Sequence, residues 1–183
     1  MRKSLQPARI ANHPAQDDVL IAWRAAGAQD DDLLRSLFAQ SRPELELLPE
    51  PVRDQLVRLQ FDAQRDQYRR NAPDAVDRII EVEQDGRPEP VGQCYLWSGP
   101  REHRLLDLAI RPQWRRRGIG GAVLGQLCAE AARTGVPLTL SVWAANQDAQ
   151  RMYRRLGFVQ EPGAANGYLA MRWSAEDVLE GSR

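Results

Sequence analysis

Histidine and cysteine are scarce. His13, His103, Cys94 and Cys128 are the whole complement in 183 residues. None stands at metal-ligand spacing from another, so no metal site is expected. Both cysteines sit in apolar patterns, which reads as reduced core thiols. Net charge is also missing. Lys+Arg and Asp+Glu are 25 each, which argues against a global field aimed at nucleic acid or membrane. No apolar run is long enough to span a bilayer, and the first residues lack the apolar stretch of a signal peptide. There is no internal repeat. The Gly-Lys-Ser/Thr ending of a P-loop is absent, and no G-x-G-x-x-G follows a strand, which removes the two commonest nucleotide signatures. What remains is the expectation of a soluble, cytoplasmic, single-domain protein with a sizeable core.

The pattern divides as a polar tail over 1–18, one domain over 19–175 and a C-terminal tail over 176–183. Val19 to Trp23 is apolar and β-prone, a first strand. Gln29 to Gln40 opens on acidic residues and then repeats Leu33, Leu34, Leu37 and Phe38 at helical spacing. Pro51 starts a second helix, with Val52, Leu56, Leu59, Ala63 and Tyr68 read as its apolar stripe. Past Pro73 the period changes. Asp77 to Glu83, Val91 to Trp97 and Leu105 to Ile110 read as a three-strand antiparallel meander, with Asp85-Gly86 as the first turn. Arg117 to Arg133 is helical and Gly135 closes it. Leu138 to Trp143 is a strand, and Asn146 to Leu156 is a short helix capped by Asn146. Phe158-Val159 and Gly167 to Trp173 are final strands. The order is β-α-α-β-β-β-α-β-α-β-β, an α/β (or α+β) fold with a mixed sheet. A central crossover makes the strands at 105–110 and 138–143 parallel.

Residues 115 to 121, Arg-Arg-Arg-Gly-Ile-Gly-Gly, carry the most chemistry. They join a strand to a helix. Glycines allow a tight turn and close approach to main-chain N–H groups, and the helix aims its unpaired N–H groups and positive dipole end at whatever lies there. Arg115, Arg116 and Arg117 add planar donors suited to phosphate oxygens. The pattern points to a phosphate-bearing guest. A second segment, Asn146-Gln-Asp-Ala149-Gln-Arg-Met152-Tyr153-Arg-Arg-Leu156-Gly157-Phe158, puts Ala149, Met152, Tyr153 and Leu156 on one helix face.

Together and in this order, the two segments resemble the GNAT superfamily of acyl-CoA N-acyltransferases. The family's Arg-x-x-Gly-x-Gly matches Arg115 to Gly120, and its Asn, Ala, Tyr and Leu-Gly-Phe pattern matches Asn146, Ala149, Tyr153 and Leu156 to Phe158. The match spans roughly residues 76 to 173; residues before 73 agree only in gross pattern. The resemblance implies acetyl-CoA as cosubstrate and a primary amine as acceptor; it does not name that amine, and a small molecule is favoured over a protein. It implies that the two parallel strands splay, that pantetheine pairs with backbone at Leu108, Ala109 and Ile110, and that pyrophosphate lies on the N–H groups of Arg116, Arg117, Gly118, Ile119, Gly120 and Gly121. Asn146, Ala149 and Met152 would line the cofactor, with Arg151 or Arg155 near the adenosine phosphate.

The resemblance also implies direct attack by a neutral amine, with Tyr153 as general acid toward sulfur. The backbone N–H of Ala109 or Ile110 is the expected oxyanion donor. Asp107 shares a strand face with Ala109 and is the first candidate for the base; Glu102 and His103 are others. Glu44, Glu46 and Gln60 to Gln64 come from the region expected to close the acceptor side. Two rival readings stand beside this one: a non-catalytic acyl-CoA-binding or sensor domain of the same fold, and a nucleic-acid-binding module centred on Arg115 to Arg117, which the balanced charge disfavours. A homodimer through an open sheet edge is compatible with the pattern.

Overall fold

The computed structural model describes residues 20–163 and 166–180. Seven strands form one mixed sheet: β1 Ile21–Ala25, β2 Val76–Gln84, β3 Arg87–Ser98, β4 His103–Ile110, β5 Leu138–Trp143, β6 Val159–Gln160 and β7 Tyr168–Trp173. Their spatial order is β1-β2-β3-β4-β5-β7-β6. Helices α1 Asp31–Gln40 and α2 Glu50–Asn71 precede the meander; α3 Ile119–Thr134, α4 Gln147–Arg155 and α5 Ala175–Glu180 follow it.

The meander follows from its turns. Asp85 and Gly86 take φ of 51° and 75°, the left-handed pair that matches the twist of a two-residue hairpin. β2 therefore pairs antiparallel with β3, and β3 with β4. β4 and β5 run parallel, as their α3 crossover requires. Gly135, at φ 70°, closes α3 in the left-handed conformation.

Both sheet faces are covered in the middle. Ile79 and Ile80, successive residues on opposite faces of β2, are both fully buried. One face packs Ile80, Val91, Cys94, Leu96, Leu105, Leu138 and Leu140 against Ile119, Val123, Leu124 and Leu127 of α3. The other packs Ile79 under Leu34, Leu37 and Phe38 of α1 and Val57 and Phe61 of α2. This double burial explains why β3 is buried continuously from Val91 to Leu96 instead of alternating.

Three readings need correction. The first strand begins at Ile21, and Val19 lies outside the described residues. In α2 the buried residues are Val57 and Phe61, whereas Val52 and Leu59 are 47% and 65% exposed. The apolar residues of this Arg- and Gln-rich helix fit more than one stripe, and packing selects among them. The expected C-terminal tail begins as α5; Ser174 Oγ accepts from the Asp177 N–H and donates to its carboxylate at 2.6 Å, fixing the first turn. The expected tail over 1–18 lies outside the described residues.

Candidate active site

The β4–β5 ladder is short. It pairs His103 with Leu138, Arg104 with Thr139 and Leu105 with Leu140, and then stops. Both strands continue, to Ile110 and Trp143, so the parallel pair parts over its C-terminal half. A bulge in β4 sets what faces the opening. The β3–β4 register shifts between Tyr95 and Leu96, so that Tyr95 faces Asp107 and Leu96 faces Leu105; Leu106 is the extra residue. The Arg111 N–H donates to the Val91 carbonyl at 2.9 Å. By antiparallel alternation, Ala109 and Asp107 then exchange main-chain bonds with β3, and the N–H and C=O groups of Leu108 and Ile110 turn toward the opening.

This divides the residues expected to line it. Leu108 and the Ile110 N–H present main chain there that no strand pairs, while the Ile110 carbonyl accepts from Arg115 Nε. Ala109 does not: its main chain serves β3, and its side chain packs with the α1–α2 cluster. Of the two expected oxyanion donors, Ile110 therefore keeps its N–H for the opening and Ala109 loses it. Pairing parity across a bulge is not readable from sequence.

The arginine-glycine turn sits at the end of β4. Arg116 takes φ 63° and Gly118 φ 80°, and α3 begins at Ile119 with no side-chain cap and no acidic residue in its first turn. The first N–H groups of the helix are thus left for a guest, with the dipole behind them. A Cβ on Gly121 would meet nothing within 4 Å, and one on Gly120 would come 3.4 Å from Met152 Sδ. Met152 therefore lines the same recess.

The three arginines have different surroundings. Arg115 Nε donates to the Ile110 carbonyl at 2.8 Å, bracing the end of β4. The Arg117 guanidinium stacks 4.7 Å over the Trp114 ring. Arg116, with its side chain 89% exposed, reaches Asp148 at 3.7 Å. Asp148 also pairs with Arg151, so Arg151 stands beside the turn but already holds a carboxylate, while Arg155 is exposed.

α4 supplies the opposite wall. Asn146 caps it, with Oδ1 accepting the Ala149 N–H at 3.1 Å. Gln150, a residue sequence reasoning passed over, is buried and donates to the Ala144 carbonyl at 2.7 Å, tying the helix to the end of β5. Tyr153 is only 9% exposed and packs against the Phe158 ring. Among the described residues its hydroxyl has no hydrogen-bond partner, and it is not one of the sealed, unbonded polar atoms either. Burial pushes its phenol up to about 12, with the Asp107 charge adding to the effect. The proton is therefore present at neutral pH.

Asp107 lies on the α2 side of the opening. Gln93, itself buried, donates Nε2 to Asp107 Oδ2 at 3.3 Å. Tyr68 covers the site from α2, stacking edgewise on Tyr95 and donating to the Leu106 carbonyl at 3.1 Å. Loss of water pushes the Asp107 carboxyl up to about 6; the Leu108 N–H, Arg42 and Arg65 pull downward and Asp77 adds upward. The pKa of Tyr68 is raised too, first by burial and then by Asp107.

The other base candidates fall away from this centre. His103 opens β4, at the far end of the ladder, and is buried with Nε2 2.9 Å from Thr134 Oγ1. Glu102 accepts from Thr139 Oγ1 at 2.8 Å and pairs with Arg104, lining a separate shallow hollow of about 350 Å³ with Trp97, Pro137 and Arg172. Glu44, Glu46 and Gln60 are exposed and Gln64 is partly buried. From the α1–α2 segment it is Arg42 and Arg65 whose charges act on Asp107.

Among the described residues the mixed sheet has one parallel pair, which opens onto an uncapped helix, and solved structures share the fold. The chain is similar in fold to the PaiA N-acetyltransferase of Thermoplasma acidophilum in complex with coenzyme A (17% identity, 85% of this chain and 99% of that one, TM-score 0.61). It is similar to an acetyltransferase of Thermus thermophilus (23% identity, 85% and 97%, TM-score 0.61). It is similar too to the spermidine N-acetyltransferase of Vibrio cholerae in complex with CoA and spermine (16% identity, 87% and 98%, TM-score 0.60). No curated protein sequence matches the chain. The family model for the acetyltransferase (GNAT) family matches residues 34–158, and the chain belongs to that family.

Proposed function

We propose that the protein transfers an acetyl group from acetyl-CoA to the primary amine of a small molecule. The observation that carries this reading is the ladder ending at Leu105 and Leu140. It leaves Leu108 and the Ile110 N–H without a strand partner beside a helix start that no side chain caps. An unpaired strand edge suits an amide-bearing arm, and the Gly118 to Gly121 N–H groups suit a diphosphate.

Acetyl-CoA supplies the activated acetyl thioester. The Ile110 N–H is the donor for its carbonyl oxygen as negative charge gathers there. Tyr153 holds the proton for the departing sulfur, and Asp107 takes the proton of the attacking amine, directly or through water. The carboxyl is partly buried, and Tyr68 bonds the neighbouring Leu106 carbonyl, which favours a small acceptor; one structural neighbour is by its description a spermidine acetyltransferase.

The test is thiol release from acetyl-CoA with a mixed panel of amines, alongside thermal shift with acetyl-CoA, longer acyl-CoAs, NAD and ATP. Amine-dependent release together with a shift from acetyl-CoA is the expected result. A shift without release from any amine would leave an acyl-CoA-binding domain. A shift from NAD or ATP alone would end the reading.

A further inference from the structure

Arg42 is set apart from the other partly buried arginines. Arg24, Arg35, Arg53, Arg65, Arg78, Arg111 and Arg172 each have a carboxylate within 4.0 Å. Arg42, also partly withdrawn from solvent, has no such partner among the described residues. It is nonetheless held firmly. Its guanidinium lies 3.5 Å from the Phe38 ring centroid, and Nη1 donates to the Phe38 carbonyl at 3.2 Å and to Ser41 Oγ at 2.9 Å. Nε and Nη2 have no partner among the described residues. A half-desolvated cation normally finds an anion, and a stacked guanidinium offers a pre-organised fork for one.

Its place says which anion. Phe38, the ring beneath it, belongs to the cluster that packs on Ala109, and Ala109 shares a face of β4 with Asp107. The Arg42 charge is felt by both the Asp107 carboxyl and the Tyr68 phenol. A free cationic fork and a proton-accepting carboxylate thus stand on the same, α1–α2 side of the sheet.

We infer that the acceptor is an amino-carboxylate, whose carboxylate docks on Arg42 while its amine faces Asp107. This rests on the acetyl-transfer reading above and narrows its substrate class. No covalent step changes: the carboxylate is bound through charge-assisted hydrogen bonds and leaves as it came.

The test compares the twenty amino acids with their C-terminal amides, under saturating acetyl-CoA, in the wild type, Arg42→Gln and Arg42→Lys. The best amino acid should exceed its amide in kcat/KM by roughly 10- to 100-fold, the worth of a hydrogen bond to a charged group. Arg42→Gln should remove that preference by raising KM for the acid well beyond any change for the amide, and Arg42→Lys should restore it in part. Melting temperature checks that the variants fold. Equal turnover of acid and amide in the wild type, or an equal fall for both in Arg42→Gln, would overturn the inference while leaving acetyl transfer standing. Calorimetric titration of the same amino acids into protein saturated with CoA reads the docking without turnover. Binding weakened by Arg42→Gln supports the inference; failure of every amino acid to bind overturns it, whether or not any amine is acetylated.

Discussion

Gln93 and Asp107 meet across the β3–β4 ladder, the buried amide donating to the carboxylate at 3.3 Å. Directly opposite residues on these strands are Gln93 with Ala109 and Tyr95 with Asp107, so the bond runs on the diagonal. The bulge at Leu106 makes it reachable, because it sets Asp107 on the face that Gln93 and Tyr95 share.

Asp107 should therefore show its ionisation in both rate and stability. With the carboxyl pushed up to about 6, kcat/KM should rise with pH through a limb near that value. Asp107→Asn should remove the limb and lower turnover by roughly 10²-fold or more. The stability effect has the opposite sense. The folded-state value lies above the ordinary 3.8, so between the two the folded protein binds the proton more tightly than the unfolded chain, and stability falls as pH rises through that window. Asp107→Asn, which never ionises, should melt at a higher temperature than wild type at pH 7. A variant that is less active and also less stable would contradict the assignment.

Tyr153→Phe keeps the ring contact with Phe158 and deletes a hydroxyl that bonds no described residue. Turnover should drop by ~10²–10⁴-fold with coenzyme A affinity nearly unchanged. Turnover within a factor of two of wild type in steady-state assays would remove the acid role.

Gly121→Asp separates helix stability from ligand binding. The added Cβ meets no atom within 4 Å, and α3 has no acidic residue in its first turn. A carboxylate there complements the dipole, and replacing a helical glycine restrains the unfolded chain. Melting temperature should hold or rise. Coenzyme A affinity should fall by about tenfold or more, since the new charge stands where the diphosphate is to bind. Undiminished affinity by calorimetry would place the diphosphate elsewhere.

A purely structural contact provides the counterpart. Asp30 is buried, receives two bonds from Arg24 at 2.6 and 2.7 Å and accepts the Gly27 N–H at 2.9 Å. Asp30→Ala leaves Arg24 with Glu81 only and should cost about 3 kcal/mol in denaturant unfolding, with no effect on the KM for acetyl-CoA. Arg24 holds the Asp30 carboxyl below its ordinary value. This stabilisation is in place above the ordinary carboxylate range and is lost as pH falls through the folded-state value.

The amino-acid order by itself determined the local parts: the Asp85-Gly86 hairpin, the α3 start at the arginine-glycine turn, the Asn146 cap and the positions of Tyr153 and Asp107. Each depends on residues a few places apart, through turn conformation, capping geometry or helical period, and such short-range preferences are written into the sequence. Tertiary structure alone decided the rest. Which stripe of α2 is buried, which way Leu108, Ala109 and Ile110 turn their main chain past the bulge, and the burial of His103 away from the opening all depend on contacts between distant segments. In those contacts, burial and pairing outweigh the weak preference of any one residue.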